Sequence, residues 1–188
     1  MNVLKRTWIW IRRFRKRRGY GVHSPFAFDF ITTVVNERAR YYAYDTIKRK
    51  SDRLIFRLTN YAQPSVCIEI GSQGAQEAMR IAKPSAQLIY YDSVESFMAS
   101  HVQEMQDVGL IHLSRPEETM LQAFESIVPL CRRHTLLVIE GIHKSRSLLS
   151  DWRRITTDAR CVLTFDLYTH GIVMFNPDYI KQNYIVNF

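Results

Sequence analysis

No run of 18 or more apolar residues occurs in this 188-residue chain, which excludes a helix that crosses a membrane. The one early apolar stretch, residues 8–11, is too short for the hydrophobic region of a secretory signal and leads into basic residues. Cysteine is scarce, and none of the three cysteines has a partner at metal-ligand spacing. We therefore expect a cytoplasmic protein whose thiols are small core residues.

Acidic residues are missing from the first 18 positions, which carry eight of the 26 lysines and arginines. This excess equals the net charge of +8, because the other 18 basic residues balance the 18 acidic ones. The pattern indicates a basic arm, residues 1–20, on a neutral body, residues 21–188. With 46% hydrophobic residues overall, the body is long enough for one domain with a substantial core.

The basic arm is predicted to form an amphipathic helix. On a helical wheel Leu4, Trp8 and Ile11 share one face, and most of the basic residues lie opposite. A basic helix that carries tryptophan suits an anionic membrane surface or a nucleic-acid backbone, so residues 1–18 are expected to bind one of these. Binding to the membrane surface would place the protein peripherally at the membrane. The alternative is that the apolar face packs on the domain and the arginines are solvated.

The rest of the chain predicts an α/β domain. A helical segment, residues 24–62, comes first, with Ser24 as an N-cap and Pro25 at the first helical position. From Pro64 onward, short apolar runs alternate with helical periods, which is typical of a parallel sheet covered on both faces. Three closely spaced strands end the chain, so at least one is antiparallel. The predicted fold is a doubly wound, mostly parallel, Rossmann-like sheet with antiparallel C-terminal strands and an N-terminal helical extension.

Ligands in such a sheet bind beyond the carboxyl ends of the strands. The first strand ends in Glu69, Gly71, Ser72 and Gly74, where glycine lets the backbone approach a ligand and the next helix offers free N–H groups. Asp92 ends the second strand, 23 residues after Glu69, about where a carboxylate would hold a ribose. The alternative is a plain strand-to-helix turn in which Asp92 caps the helix.

The fourth strand ends in a second polar group, and its Glu140 and His143 are the candidate catalytic residues. Imidazole titrates near neutrality, so His143 would serve as a base. The alternative is that His143 is a helix cap or a partly exposed polar residue. One glutamate supplies too few oxygen ligands for a hard divalent cation, so no metal site is predicted.

Five stretches of the chain are similar in sequence to segments of a known family and occur in the same order. They read GYGVHSPFAFDF, RLIFRLTNYAQPSVCIEIGS, VIEGIHKSRSLLSDWRRI, TFDLYTHGIVMF and NYIVNF. They resemble the class I S-adenosylmethionine-dependent methyltransferases, specifically a Bacteroidetes-type bacterial group. The resemblance implies that S-adenosylmethionine is the cofactor, with its methionine end along Glu69, Gly71 and Ser72 and its ribose on Asp92.

The chain departs from the family pattern at three places. Gly74 comes one position earlier than the family's second glycine, and about thirty residues, the length of a helix–strand–helix unit, are missing after Asp92. The third strand end reads Ile-His-Leu-Ser, residues 111–114, where the family has a carboxylate. We therefore expect one strand fewer in the sheet.

Three functions are compatible with these residues. A methyltransferase would bind its cofactor between Gly71 and Asp92 and position an unknown acceptor near His143, since such a transfer needs few catalytic groups. A protein that kept the fold and lost the reaction would act as a binding module through its basic arm. A nicotinamide-dependent enzyme is disfavoured because the turn lacks the three-glycine spacing that admits a pyrophosphate.

Overall fold

The computed structural model describes residues 21–100, 107–114, 116 and 120–188, so the predicted basic arm lies outside the described residues. Helix α1 (Pro25–Asp29) begins where the sequence predicts, and the Ser24 side chain accepts a hydrogen bond from the Ala27 N–H at 3.3 Å. The helix continues as a π-helix, Phe30–Val35, whose apolar side chains are buried.

Helix α2 (Lys50–Ala62) joins this extension to the domain. It carries the buried Arg57, whose guanidinium donates hydrogen bonds to the Val34 and Val35 carbonyls at 2.7 and 2.9 Å. Carbonyls at the C-terminal end of a helix lack partners within the helix and carry partial negative charge, so a cation there stabilises the helix end. Arg57 therefore anchors the π-helix to α2.

Seven strands and four further helices follow in the part of the chain that the structure describes. The strands are β1 (Val66–Ile70), β2 (Gln87–Tyr91), β3 (Val108–Leu113), β4 (Leu136–Glu140), β5 (Leu163–Asp166), β6 (His170–Met174) and β7 (Gln182–Ile185). The helices are α3 (Gln76–Ala82), α4 (Val94–Ala99), α5 (Met120–Ile127) and α6 (Arg146–Thr157), and short 3₁₀ helices cover Tyr42–Asp45, Gln73–Ala75 and Val128–Leu130.

The strands form one sheet in the order β2-β1-β3-β4-β6-β5-β7. Strands β1 to β4 pair in parallel, β5 pairs in parallel with β7, and β6 runs antiparallel to both β4 and β5. This confirms the predicted mostly parallel sheet with an antiparallel C-terminal part. Strand β2 is an edge strand among the described residues, and the expectation of one strand fewer than the family has stays a prediction.

Side chains alternate between two buried layers, one on each face of the sheet. Cys67, Leu110 and Val138 pack beneath α1, α2 and α3, and Ile68, Ile111 and Ile139 pack beneath α4, α5 and α6. The sheet is therefore covered on both faces, and the two sides of each strand point into different cores. Within the described ranges, no helix combines the length and apolarity that a membrane span requires.

Candidate functional site

The glycine turn, residues 71–75, follows β1 at the carboxyl edge of the sheet. Gly71 has a φ of +103°, and its N–H donates to the Tyr91 carbonyl at 2.9 Å. A Cβ at this position would stand 2.0 Å from the carbonyl oxygen of Ser114. Glycine is therefore required here both for the backbone conformation and for the close approach of the neighbouring strand end.

Two polar side chains support the glycine turn from within. Glu69 is fully buried, and its Oε1 accepts a hydrogen bond from the Ala75 N–H at 3.0 Å. The Ser72 hydroxyl accepts one from the Ser114 hydroxyl at 3.1 Å. Glu69 thus holds the turn from beneath, while contact between Glu69 and a cofactor stays a prediction.

Gly74 lies on the exposed side of the glycine turn. A Cβ at Gly74 would stand 3.0 Å from Nη1 of Arg49, the residue that precedes α2. The absence of a side chain at 74 therefore leaves room for a guanidinium beside the turn. Sequence reasoning gave Gly74 a role toward the cofactor and did not identify Arg49 as its neighbour.

Asp92 lies directly after β2, and Tyr91 pairs with Ile70 of β1, so Asp92 is next to the glycine turn. Its side chain is exposed. The N-cap of α4 is Ser93, whose hydroxyl accepts a hydrogen bond from the Ser96 N–H at 3.1 Å. The alternative role of Asp92 as the helix cap is therefore wrong. Its carboxylate lies at the same sheet edge as Gly71 and Ser72.

His143 lies in the connection between β4 and α6, at the same edge of the sheet. Its Nε2 is 2.7 Å from Oδ2 of Asp166, the last residue of β5. Its ring stacks on Tyr168, with centroids 4.7 Å apart. Ser145 caps α6, so the interpretation of His143 as a cap is wrong. A half-buried histidine oriented by a carboxylate is a suitable general base.

A row of four polar side chains joins the two halves of this edge. The polar row consists of Glu69 on β1, His112 on β3, Glu140 on β4 and His170 on β6, all on the α1–α3 side of the sheet. His112 Nδ1 is 3.4 Å from Glu69 Oε1, and His112 Nε2 is 3.7 Å from Glu140 Oε1. The same Glu140 oxygen is 3.3 Å from His170 Nε2. Acidic and basic groups therefore alternate along the row.

The charges in the polar row stabilise one another. Burial disfavours the charged form of His112, but the carboxylates of Glu140 and Glu69 on either side outweigh it and raise its pKa to about 9. Burial alone would raise the pKa of Glu140, whereas His112 and His170 lower this pKa far below its usual range. At neutral pH His112 is therefore a cation between two acidic residues. No cluster suited to a metal ion occurs among the described residues.

Comparison with known proteins gives a result for the fold. No protein-family profile matches the chain, and no curated protein matches it by sequence. A solved structure of a provisionally assigned caffeoyl-CoA O-methyltransferase from Staphylococcus aureus matches with a TM-score of 0.53 and 11% identity, over 93% of this chain and 100% of that one. The chain has a methyltransferase fold.

Two other solved structures, both of methyltransferases, match less well. A precorrin-6y C5,15-methyltransferase from Geobacter metallireducens has a TM-score of 0.46 and 10% identity, over 76% of this chain and 96% of that one. A methyltransferase from Geobacter sulfurreducens has a TM-score of 0.44 and 12% identity, over 78% of this chain and 95% of that one. Gly71, Asp92 and His143 of this chain lie after the carboxyl ends of β1, β2 and β4, the edge at which open α/β sheets bind ligands.

Proposed function

We propose that the protein is an S-adenosylmethionine-dependent methyltransferase of the Bacteroidetes-type bacterial group, acting on an acceptor near His143. The observation that carries the proposal is the exposed carboxylate of Asp92 beside Gly71, in a turn that only glycine can form. This carboxylate and this turn fit S-adenosylmethionine. Asp92 would accept hydrogen bonds from its ribose hydroxyls, and its methionine end would lie along Gly71 and Ser72.

When bound, S-adenosylmethionine would supply a methyl group on a sulfonium centre: the acceptor atom bonds to the methyl carbon in line as the carbon–sulfur bond breaks, and S-adenosylhomocysteine leaves as a neutral thioether. The protein then has to orient the acceptor and remove its proton. Asp166 Oδ2 lies 2.7 Å from Nε2 of His143 and orients the imidazole, as the acceptor side of the site requires. Strand β4 lies two strands from β1, about 10 Å at the usual spacing, so His143 serves the acceptor side of the site.

Replacing Asp92 by asparagine is expected to weaken binding of S-adenosylmethionine about tenfold, because the amide loses charge-assisted acceptance of the ribose hydroxyls. Isothermal titration calorimetry of the wild type and of Asp92→Asn measures this difference. Asp45→Asn is the matched control, because Asp45 is an exposed aspartate of the 3₁₀ helix Tyr42–Asp45. It should bind like the wild type.

Two results would contradict parts of this proposal. A ligand present at about 100 times its dissociation constant stabilises a fold by about 2.7 kcal/mol, so a wild type without any thermal shift at millimolar cofactor contradicts the proposed function. Equal affinity of the wild type and Asp92→Asn contradicts the ribose role of Asp92 alone.

A second candidate function is favoured by the edge position of β2. Between Asp92 and β3 the described residues contain only α4, where the family resemblance predicts a further strand and an adenine-binding turn. We propose as the alternative that the protein lost the reaction and works as a binding module. Its basic arm would then bind an anionic membrane surface or a nucleic acid.

The arm's role is tested by comparing the full chain with a chain that lacks residues 1–18. We expect the full chain to sediment with anionic vesicles or to reduce the electrophoretic mobility of a nucleic acid. Increasing salt should weaken this binding. The shortened chain should bind neither. Equal binding of the two chains would show that residues 1–18 are not the binding element, and neutral vesicles serve as the control.

A further inference from the structure

The polar row is built by strand register rather than by chance proximity. Glu69 pairs directly with His112 across β1 and β3, and Glu140 pairs directly with His170 across β4 and β6. His112 is opposite Val138, two residues before Glu140, so both side chains point to the same face of the sheet. The side chains of Glu69, His112 and His170 are almost completely inaccessible to water.

Removal of the central imidazole would leave the buried Glu69 and the partly exposed Glu140 without a cation between them. Glu69 Oε2 has no hydrogen-bond partner among the described residues, so the contact with His112 supplies the countercharge for this carboxylate. A buried carboxylate without a countercharge takes up a proton or rearranges, because ionisation in a medium of low polarity is costly. Glu69 also accepts the Ala75 N–H that closes the glycine turn, so a change at Glu69 reaches this turn directly.

We propose that His112 is a positioning residue of the methyl-transfer site: its ring, held between Glu69 and Glu140, keeps the Glu69 carboxylate directed at the Ala75 amide. The inference rests on the proposed function for the assignment of the glycine turn as the cofactor site. The link from His112 through Glu69 to the turn does not depend on this assignment. His112 does not touch the reacting atoms and acts through Glu69.

The charged groups that face His112 are known for the described residues. Glu69 faces it from β1 and Glu140 from β4, and both favour the imidazolium. His170 on β6 acts on Glu140 and keeps that carboxylate ionised. The charge of His112 is therefore fixed by acidic groups on both neighbouring strands and not by an exposed partner.

The test uses the ligand-free full chain and compares two backbone amides of the same turn. The Ala75 N–H is bonded to the Glu69 side chain, whereas the Gly71 N–H is bonded to the backbone carbonyl of Tyr91. In His112→Gln we expect hydrogen exchange at Ala75 to accelerate about tenfold relative to Gly71, since the charge-assisted bond is lost. His134→Gln, at an exposed histidine that pairs with Asp107, is the matched control and should leave the ratio unchanged.

The wild type alone provides a second test if His112→Gln does not fold. Nitrogen-15 NMR of protein labelled at its histidines should show His112 as an imidazolium at pH 7.5. The ratio of the amide hydrogen exchange rate at Ala75 to that at Gly71 should rise as the pH passes through about 9. A neutral His112 ring at pH 7.5 overturns the proposal, and so does an unchanged ratio in His112→Gln.

Cofactor affinity separates this inference from the proposed function. If the wild type binds S-adenosylhomocysteine, His112→Gln should bind it about tenfold more weakly, because the turn is less well held. If the wild type binds no cofactor, the proposed function fails, and the exchange ratio still decides whether His112 positions Glu69 and the turn. Unchanged affinity in a His112→Gln protein with an altered ratio overturns the role of His112 in the site.

Discussion

Gly71→Ala is expected to lower the free energy of unfolding by about 3 kcal/mol or more and to abolish cofactor binding. The new Cβ would stand 2.0 Å from the Ser114 carbonyl oxygen, and the residue would have to keep a φ of +103°. Neither strand end can move away without breaking the hydrogen bonds of Gly71 to Tyr91 and of Ser114 to Ile70, both 2.9 Å long. Urea denaturation followed by circular dichroism measures the loss.

Gly141→Ala is the matched control for this substitution. Gly141 also has a positive φ, +76°, in the turn after β4, but a Cβ there would meet only the Lys144 side chain at 3.7 Å or more. Its cost is the left-handed conformation alone, about 1 kcal/mol. A loss at Gly71 no larger than that at Gly141 would show that the strand ends separate easily and that the turn is adaptable.

The polar row is expected to make the free energy of unfolding depend on pH between 6.5 and about 9. The pKa of His112 is raised from 6.5 in the unfolded chain to about 9 in the fold, so the protonated form is favoured by folding. This contribution is fully present below pH 6.5 and is lost as the pH rises through 9. It amounts to about 3 kcal/mol between pH 6 and pH 10.

The measurement is the difference in unfolding free energy between the wild type and His112→Gln at each pH. Burial also raises the pKa values of the Cys67 and Cys161 thiols to about 12, which lowers stability above pH 9 in both proteins. This loss is common to both and cancels in the difference. A difference that stays constant from pH 6 to pH 10 would show that the proton on His112 does not contribute to folding.

The elements of the fold were largely predictable from the sequence, because most strands are short apolar runs and helices α1 and α6 begin at serine N-caps. Ser24 caps α1 as predicted, and the crowding of the last three strands was enough to require an antiparallel strand. The π-helix Phe30–Val35 was not predicted, since its apolar spacing also fits an α-helix. The side-chain bonds of Arg57 to this π-helix depend on tertiary packing.

The sequence identified the polar residues that follow β1 and β2, and it identified only some of those on the other strands; their roles stay predictions. Asp166 was not predicted as a site residue, because it follows an apolar run at the end of β5 with no glycine or helix after it. His112 was read as the loss of an acid, although its charge is what the neighbouring acids need. His170 begins its strand, and only the reversed direction of β6 brings it to the edge where the other strands end. Sequence reasoning that inspects strand ends alone cannot find such a residue.

The contact between Gly71 and Ser114 limits how this sequence can change over time. The obstructing atom is a main-chain oxygen, which every amino acid at position 114 would carry. No exchange of the Ser114 side chain therefore makes room for a Cβ at 71, in contrast to a clash between two side chains, which a smaller partner relieves. A selection for restored folding in a Gly71→Ala background should return glycine at 71 rather than suppressors at 114.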